Sequence, residues 1–340
     1  NGKECFESNE SISIINPSYG TEIGEVLYAT KDTANAAVES AYEASKAWAK
    51  TGLSFRAELI LKFRQGIINR SNEIVDICIS EAGKTRPDAE AELDRAVQAL
   101  THAAGVQHFY PSNYSQNVAG GIDIADLRFP IGVIAGVGPF NFPILIPILH
   151  SAMALVTGNT YIAKPSEKVP SISRLYADIW KEAGLPDGCY NVLNGEKEIV
   201  ELLVRHEKVD GLAFIGSTAA AKSLKMLGVD HNTKVQALGG GKNHMIVLPD
   251  ADLDMSADAA VSASFGAAGQ RCMAVSVVVA VGDIADELIS KIQSRMPDLI
   301  MGVTDDEKTQ LGPVISQANK DRIYSFIDSA EPDGASLVVD

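Results

Sequence analysis

The residues most suited to catalytic chemistry surround Cys272. Residues 265–273 read Phe-Gly-Ala-Ala-Gly-Gln-Arg-Cys-Met. Glycines in such a stretch let the backbone approach a ligand closely. The guanidinium of Arg271, directly beside the cysteine, favours the thiolate, which is the nucleophilic form. A cysteine is also commonly a buried, inert apolar residue. The pattern therefore leaves two interpretations open, a structural cysteine and a nucleophile whose backbone N–H helps to bind an oxyanion.

A second candidate is Asn141, the polar residue in the apolar turn Gly-Val-Gly-Pro-Phe-Asn-Phe-Pro at residues 136–143. A proline stands two residues away on each side, so the backbone around the amide is restricted. A fixed asparagine amide can donate a hydrogen bond to a developing oxyanion. It can equally satisfy the backbone of its own turn. The pattern alone does not choose between these roles.

Two further turns carry groups suited to a dinucleotide. In Ala-Lys-Pro-Ser-Glu at residues 163–167, Lys164 can donate to ribose hydroxyls and Glu167 can accept from them. Glu167 would also repel a 2'-phosphate, which favours NAD over NADP; the alternative is a helix start with Ser166 as N-cap. Residues 214–218 pass through a glycine to a helix start whose N–H groups suit a pyrophosphate. This turn is not the G-x-G-x-x-G fingerprint, so its signal alone is weak.

Alternating apolar strands and helices position these turns. We predict strands at residues 131–137, 160–163, 190–193 and 211–215, and helices at residues 147–156, 171–183, 196–205 and 218–227. Strands that are apolar throughout, each followed by a helix, predict a parallel sheet covered on both faces. Ligands of such sheets lie beyond the carboxyl ends of the strands. The preceding part is predicted to be helical at residues 32–50, 56–69, 72–82 and 87–109, followed by a two-stranded arm.

Composition excludes several classes of function. The net charge of −15 and the lack of a basic run argue against nucleic-acid or membrane-surface partners. Four dispersed cysteines, with no histidine at ligand spacing, predict no disulfide framework and no metal site. They favour a reducing compartment, the cytoplasm or, in a eukaryote, the mitochondrial matrix. Residues 129–163 contain no charged side chain, but four prolines interrupt them, which indicates buried strand and helix rather than a membrane span.

Together these segments resemble the motifs of the aldehyde dehydrogenase superfamily, in the family's order and over essentially the whole chain. The motifs are Pro139-Phe-Asn-Phe-Pro143, Lys164-Pro-Ser-Glu167, Gly184-Leu-Pro-Asp-Gly188 with Asn191-Val-Leu-Asn-Gly195, Phe214-Ile-Gly-Ser-Thr218, Gly240-Gly-Lys-Asn243 and Gly269-Gln-Arg-Cys272. The resemblance implies an α/β fold with a doubly wound, NAD-binding domain at residues 1–110 and 128–245. It also implies an oligomerisation arm at 111–127 and an α/β catalytic domain from 246, of which residues up to 340 are the first part.

The resemblance also assigns site residues. Cys272 would be the nucleophile and Asn141 the oxyanion donor. The implied NAD site consists of Val137, Pro139, Phe140, Lys164, Ser166, Glu167, Gly195, Gly216 and Ser217. The resemblance further implies that the protein acts on a small aldehyde. It also implies assembly into a homodimer or homotetramer.

Residues 235–244 and 267–274 are most similar to the CoA-acylating branch that oxidises methylmalonate and malonate semialdehydes. Hydrolytic members usually carry a glutamate base where this chain has Leu238. Leucine cannot take a proton from water, so CoA would release the acyl group, giving propionyl-CoA or acetyl-CoA. The alternative is a hydrolytic enzyme that uses another base and gives the free acid. The resemblance implies that Arg271 and Arg95 bind the substrate carboxylate, although Arg95 could instead pair with Glu92 or Asp94 on its helix.

Two alternative functions belong to other classes of protein, a non-catalytic homologue and a cysteine hydrolase. A homologue could keep the fold as a binding or structural protein without catalysis. A cysteine hydrolase would need a histidine near Cys272, and no sequence feature places His231 or His244 there.

Overall fold

The computed structural model of the chain describes residues 3–8, 10–110 and 112–339. The predicted first residues of the cofactor domain and of the arm, Asn1 and Pro111, and the final residue, Asp340, lie outside this part. Contacts divide the chain into two compact units. The first is Asn1–Ile14, Gly24–Val75 and Glu90–Gly239, and the second is Ile15–Ile23, Asp76–Ala89 and Gly240–Asp340. Residues 15–23 and 76–89, predicted to belong to the cofactor domain, pack into the second unit instead.

Strands and helices alternate through most of the described chain. In chain order, the strands are β1 Ser11–Asn16, β2 Thr21–Leu27, β3 Tyr114–Ala119, β4 Ile122–Ala125, β5 Val133–Val137, β6 Thr160–Lys164, β7 Tyr190–Val192, β8 Gly211–Ile215, β9 Lys234–Leu238, β10 Asn243–Val247 and β11 Val275–Ala280. The helices are α1 Lys31–Trp48, α2 Leu53–Asn69, α3 Ser71–Ala82, α4 Arg86–Ala104, α5 Val106–Phe109, α6 Leu145–Val156, α7 Ser171–Ala183, α8 Lys197–Arg205, α9 Thr218–Asp230, α10 Leu253–Phe265, α11 Ala285–Arg295 and α12 Gln317–Ala330.

The first unit is built on a parallel sheet with strand order β7-β6-β5-β8-β9. Its central strands, β5 and β6, are almost entirely buried, as their apolar sequences predict. Successive side chains of a strand point to opposite faces. On one face, Ile162 packs in a core with Val38 of α1, Leu203 of α8 and Leu224 of α9.

The other face of the same sheet carries aromatic side chains. Tyr161, adjacent to Ile162 on β6, stacks on Tyr190 with 5.8 Å between ring centroids. Tyr190 lies 6.4 Å from Trp180 of α7, and Trp180 stacks on Phe63 of α2 at 3.7 Å. Helices therefore cover both faces, which makes the sheet doubly wound, as predicted.

Most predicted helix ends differ from the observed ones by no more than three residues, and two of the differences have a visible structural cause. The helix predicted at 87–109 is broken at Gly105 into α4 and α5, since Gly105 has φ −76° and ψ 1°, outside helical values. The helix predicted from residue 147 begins two residues earlier, at Leu145. The early start has a specific cause, because a buried carboxylate, that of Glu92, accepts from the first N–H groups of the helix.

Two pairs of strands lie outside the main sheet of the first unit. The predicted two-stranded arm is present as the antiparallel pair of β3 and β4, in which Tyr114 opposes Ala125. Both strands are exposed along their whole length. The pair of β1 and β2 near the N-terminus was not predicted.

The second unit contains the parallel pair of β10 and β11 with helices α10 and α11 beside it. Val247, Ala257 and Leu288 form its buried centre. Lys291 and Arg295 of α11 bind Asp254 of α10 at 2.9 and 3.1 Å. Among the described residues of the whole chain, no helix combines the length and the apolarity needed to cross a membrane.

Candidate active site

The predicted turns of the first unit meet at the carboxyl edge of its sheet. The last residue of β5, Val137, pairs with Lys164 of β6 and with Phe214 of β8. The last residues of β8 and β9, Ile215 and Leu238, pair with each other. Because the strands are parallel and in register, their following turns lie along one edge, where ligands of such sheets bind.

The turn after β5 holds Asn141. The Gly138 N–H donates to the Lys164 carbonyl at 3.1 Å, which fixes the start of the turn to the neighbouring strand. Val137 is buried, whereas Pro139, Phe140 and Asn141 are half-buried and line the turn. The structure thus brings the predicted oxyanion donor to the same edge as the turns predicted to hold the cofactor.

A buried glutamate that sequence reasoning did not assign to the site holds the end of this turn. Glu92 of α4 is only 4% exposed. Its Oε1 accepts hydrogen bonds from the Ile144 and Leu145 N–H groups, both at 2.8 Å. The Tyr176 hydroxyl donates to the Ile144 carbonyl at 2.9 Å. These bonds explain why α6 begins at Leu145.

A buried lysine ends β6, and two carboxylates act on its charge. Lys164 is 5% exposed, and its Nζ lies 3.7 Å from Glu167 Oε2. Burial lowers the pKa of the Lys164 ammonium, and the charges of Glu167 and Glu196 oppose that shift. Tyr28 donates to Glu196 at 2.8 Å, and its pKa is raised by burial and then by this bond. The cluster presents one cation and two carboxylates at the edge of the sheet.

Ser166 is not the N-cap of α7, which begins at Ser171. Instead, Ser166 is buried and its Oγ accepts from the Lys168 N–H at 3.3 Å within the turn. Residues 165–170 therefore remain non-helical, and the interpretation of Ser166 as a helix start is wrong. The turn is a separate structure that presents Lys164 and Glu167.

The glycines of this edge sit where a side chain would collide. A Cβ on Gly216 would lie 2.5 Å from the Phe214 ring, and one on Gly195 would lie 2.4 Å from Ile199. Gly195 also has φ +151°, a value that L side chains rarely adopt. Ser217 caps α9, its Oγ accepting from the Ala220 N–H at 3.3 Å. Ser217, Thr218 and Ala219, at the start of α9, are exposed.

Leu238 and Arg95 are exposed residues of the first unit. Leu238, the last residue of β9, is 52% exposed, and its carbonyl accepts from the Gly216 N–H. Arg95 donates to Gln98 at 2.9 Å rather than pairing with Glu92, whose carboxylate caps α6. Of the two surface pairs that were the alternative for Arg95, the one with Glu92 is therefore wrong, and the contact that the structure shows on this helix is with Gln98 rather than Asp94.

Cys272 lies in the second unit and is exposed. Asn243, at the start of β10, donates from Nδ2 to the carbonyls of Cys272 and Ala274 at 2.8 and 2.9 Å. The interpretation of Cys272 as a buried structural residue is therefore wrong. The backbone at Cys272 and two residues after it is tied to the start of β10, which fixes the segment that follows the thiol.

A left-handed turn leads into the cysteine. Ala267, Ala268 and Gly269 have φ of +53°, +54° and +70°. Left-handed conformation costs an L residue roughly 1–2 kcal/mol, so this turn must be held by its neighbours. Gln270 does so, since its Nε2 donates to Ala267 O at 3.2 Å and its Oε1 accepts from the Ile315 N–H at 2.9 Å.

Arg271, the residue before Cys272 in the sequence, forms an ion pair with Asp88. Its Nη2 binds Asp88 Oδ1 at 2.6 Å, and both side chains are partly buried. A Cβ on Gly266 would lie 2.5 Å from Arg271 Nη1, so the glycine makes room for the guanidinium. The ion pair fixes the direction of the arginine within this unit.

The other candidate chemistries find no support in the contacts of the described residues. Within residues 3–8, 10–110 and 112–339, no group of three or more His, Cys, Asp or Glu side chains has a metal-binding arrangement. His244 hydrogen-bonds the Lys242 carbonyl at 2.7 Å, and His231 pairs with Arg205 at 3.0 Å. Neither contact prepares an imidazole to act as the base of a cysteine hydrolase.

Comparison with known proteins shows the family of the chain. The aldehyde dehydrogenase family profile matches residues 6–340. The chain therefore belongs to the aldehyde dehydrogenase family, and its fold is the α/β fold of that family. A malonate-semialdehyde dehydrogenase from Bacillus pumilus is 37% identical over 334 residues, which make up 98% of this chain and 69% of the relative.

Two solved structures are similar to the chain over its whole length. The methylmalonate-semialdehyde dehydrogenase from Oceanimonas doudoroffii has a TM-score of 0.97 and 38% identity, covering 100% of this chain and 70% of that one. A protein from Sinorhizobium meliloti 1021, named for the same activity and solved in complex with NAD, has a TM-score of 0.96 and 40% identity, with the same coverage.

Proposed function

We propose that the protein oxidises methylmalonate or malonate semialdehyde with NAD, through a thioester on Cys272, and transfers the acyl group to CoA. The observation that carries the proposal is the exposed Cys272 thiol, held on a turn fixed by Asn243 in a chain of this family. The names of the similar proteins, and the NAD bound to one of them, support the substrate class and the cofactor.

The carboxyl edge of the first unit fits NAD. Lys164 and Glu167 offer a donor and an acceptor for ribose hydroxyls, and the Glu167 carboxylate disfavours a 2'-phosphate. The exposed start of α9 offers N–H groups and a positive dipole to a pyrophosphate, and Gly216 and the N-cap Ser217 directly precede its first residue. The remaining residues proposed for the cofactor are Val137, Pro139, Phe140, Ser166 and Gly195. Bound NAD would supply the acceptor for the hydride that leaves the aldehyde carbon.

In the proposed mechanism the Cys272 thiolate adds to the aldehyde carbon, and the Asn141 amide donates to the resulting oxyanion. Once the carbon is oxidised, the acyl group remains on Sγ as a thioester. Leu238 offers no base to activate water, whereas the CoA thiol is a better nucleophile than water. CoA then takes the acyl group by thioester exchange and restores the Cys272 thiol. Loss of the substrate carboxylate as CO₂ gives propionyl-CoA or acetyl-CoA.

The test of this function is the dependence of turnover on CoA in the full-length protein. With a semialdehyde and NAD alone, we expect one burst of NADH, stoichiometric with enzyme, because the thioester accumulates. Adding CoA should convert the burst into continuous turnover with acyl-CoA as product. Free acid formed at the full rate without CoA would instead identify a hydrolytic aldehyde dehydrogenase, and the lack of any burst would identify a non-catalytic homologue.

We propose that Arg95 and Arg271 bind the substrate carboxylate. A guanidinium binds a carboxylate through two parallel hydrogen bonds. Arg95 is exposed and donates to a neutral partner, Gln98, so a carboxylate can displace that contact without breaking an ion pair. Asp88 holds one edge of Arg271 and leaves the remaining donors to a ligand.

Replacing Arg95 should weaken binding of acidic aldehydes selectively. A hydrogen bond to a charged group contributes about 1.5–3 kcal/mol, so Arg95→Leu should raise KM for malonate semialdehyde about 10- to 150-fold. KM for propanal, which has no carboxylate, should stay within about two-fold. Arg64→Leu is the matched control, since Arg64 is half-buried but likewise donates to a neutral side chain, Thr101. Equal increases for both aldehydes would remove Arg95 from the substrate site.

We also propose that the arm of β3 and β4 mediates assembly into a homodimer or homotetramer. Its strands expose Tyr114, Val118, Ile122 and Ile124, each at least half exposed, and such apolar surface favours burial against another subunit. The four cysteines, far apart in the sequence, favour a reducing compartment, for which we propose the cytoplasm.

A further inference from the structure

We propose that Glu92 is a positioning residue for Asn141, which it holds in place through the first turn of α6. The inference rests on the proposed function of Asn141 as the oxyanion donor. All the contacts that carry it lie within the first unit. Glu92 acts on the reaction only by positioning Asn141, and it is not proposed to touch substrate or cofactor.

Helix α6 lacks a cap of its own. The residue at its N-cap position is Ile144, which has no side chain able to accept a hydrogen bond. The first N–H groups of a helix have no partner within the helix, and a short polar side chain usually accepts from them. Here Glu92, 52 residues earlier on α4, supplies the acceptor to Ile144 and Leu145.

The position of Ile144 is fixed through both of its backbone groups. Its N–H is bound by Glu92, and its carbonyl is bound by the buried Tyr176 hydroxyl. Asn141 precedes Ile144 by three residues, and Pro143 in between has a restricted φ. At the other end of the turn, Gly138 is bound to the Lys164 carbonyl. A short segment with both ends held leaves the Asn141 amide little freedom.

A carboxylate is suited to this position because the start of a helix carries a partial positive charge. Hydrogen bonds from N–H groups to a carboxylate are stronger than those to a neutral acceptor. Burial of an ionised carboxylate is costly unless it is bonded in this way. Glutamine keeps one oxygen acceptor but loses the charge, whereas alanine leaves both N–H groups without their acceptor. The two substitutions therefore separate the shape of the cap from its charge.

The test is a double-mutant cycle between Glu92 and Asn141, read as the rate of the NADH burst with semialdehyde. Glu92→Ala alone should slow the burst about 10- to 100-fold, and Glu92→Gln about 3- to 10-fold. In an Asn141→Ala background, both Glu92 substitutions should change the burst less than about two-fold, because the amide that they misplace is absent. The dissociation constant for NAD, measured by fluorescence titration, should stay within about two-fold throughout.

Two further variants distinguish a specific effect on the burst from a general loss of stability. Tyr176→Phe removes only the hydroxyl that binds the Ile144 carbonyl, and it should slow the burst and lose that effect in the Asn141→Ala background. Thr30→Ala removes the cap of α1, where Thr30 accepts from the Thr33 N–H at 3.1 Å. It should lower the melting temperature and leave the burst unchanged, since α1 carries no proposed catalytic residue.

Equal rate losses for the Glu92 variants in both backgrounds would show a merely structural role and overturn the inference alone. A normal burst in Glu92→Ala would also overturn it. A wild-type protein without a burst, or an Asn141→Ala variant as fast as wild type, would instead overturn the proposed function on which the inference depends.

Discussion

Replacing the sulfur of Cys272 with oxygen should abolish the NADH burst, lowering its rate by about 10³–10⁵-fold. A serine hydroxyl is far less ionised than a thiol at neutral pH, and no histidine contact that the structure describes would activate it. The reduction should be confined to the chemical step. Binding of NAD, measured by fluorescence titration, should be unchanged, because the residues proposed for the cofactor lie in the other unit.

A labelling experiment checks that this thiol reacts with the aldehyde. Cys5 and Cys272 are exposed, and Cys78 and Cys189 are buried, so Cys5→Ser provides a background in which iodoacetamide should modify Cys272. Burial raises the pKa of Cys189 to about 12, which leaves that thiol protonated and unreactive. Aldehyde should block labelling of Cys272 only when NAD is present. Full turnover by Cys272→Ser would contradict the mechanism.

The parallel sheet could be predicted because short segments of the sequence are enough to indicate its strands and helices. β5, β6 and β8 are short apolar runs, each followed by a helix, and this pattern has few other solutions. The pair of β1 and β2 was missed because its strands are mostly exposed and have no apolar run. The division into units was also missed, since residues 15–23 and 76–89 join the second unit through contacts distant in sequence.

Site residues that belong to a sequence motif could be predicted. Site residues whose role depends on tertiary packing could not. Cys272, Asn141 and Lys164 stand in motifs that a single sequence reveals. Glu92 carries no motif, and its helix suggested an ion pair with Arg95. One clue was present: α6 has no polar residue at its N-cap position, which leaves room for a cap from a distant residue.

The turn before Cys272 shows a second limit of sequence reasoning. Alanine rarely adopts a positive φ, so Ala267 and Ala268 predict no left-handed turn. The turn exists because Gln270 bridges to Pro313 and Ile315, some 43 and 45 residues away in sequence. Such a conformation depends on distant partners that no local pattern encodes. Strain of this kind is commonly found at functional sites, which agrees with the proposed role of Cys272.

The second large effect concerns the fate of the thioester, which the residue at position 238 should control. Leu238→Glu should give a protein that releases free acid without CoA, with hydrolysis about 10²–10⁴-fold faster than in wild type. Leu238 is 52% exposed at the end of β9, so a carboxylate there stays hydrated and the fold should tolerate it. The measurement is steady-state NADH formation with CoA omitted, with the acid product quantified.

Leu238→Gln is the matched control, because glutamine has nearly the same size and polarity as glutamate but cannot accept a proton from water. Hydrolysis should therefore appear in the glutamate variant and not in the glutamine variant. An ordinary glutamate has a pKa of about 4.3, so the gained activity should fall as the pH drops below about 5, where the base becomes protonated. If both variants hydrolyse equally, added polarity rather than a base admits water. If neither does, the choice of CoA over water does not depend on the missing carboxylate, and selection must act on how CoA reaches the thioester.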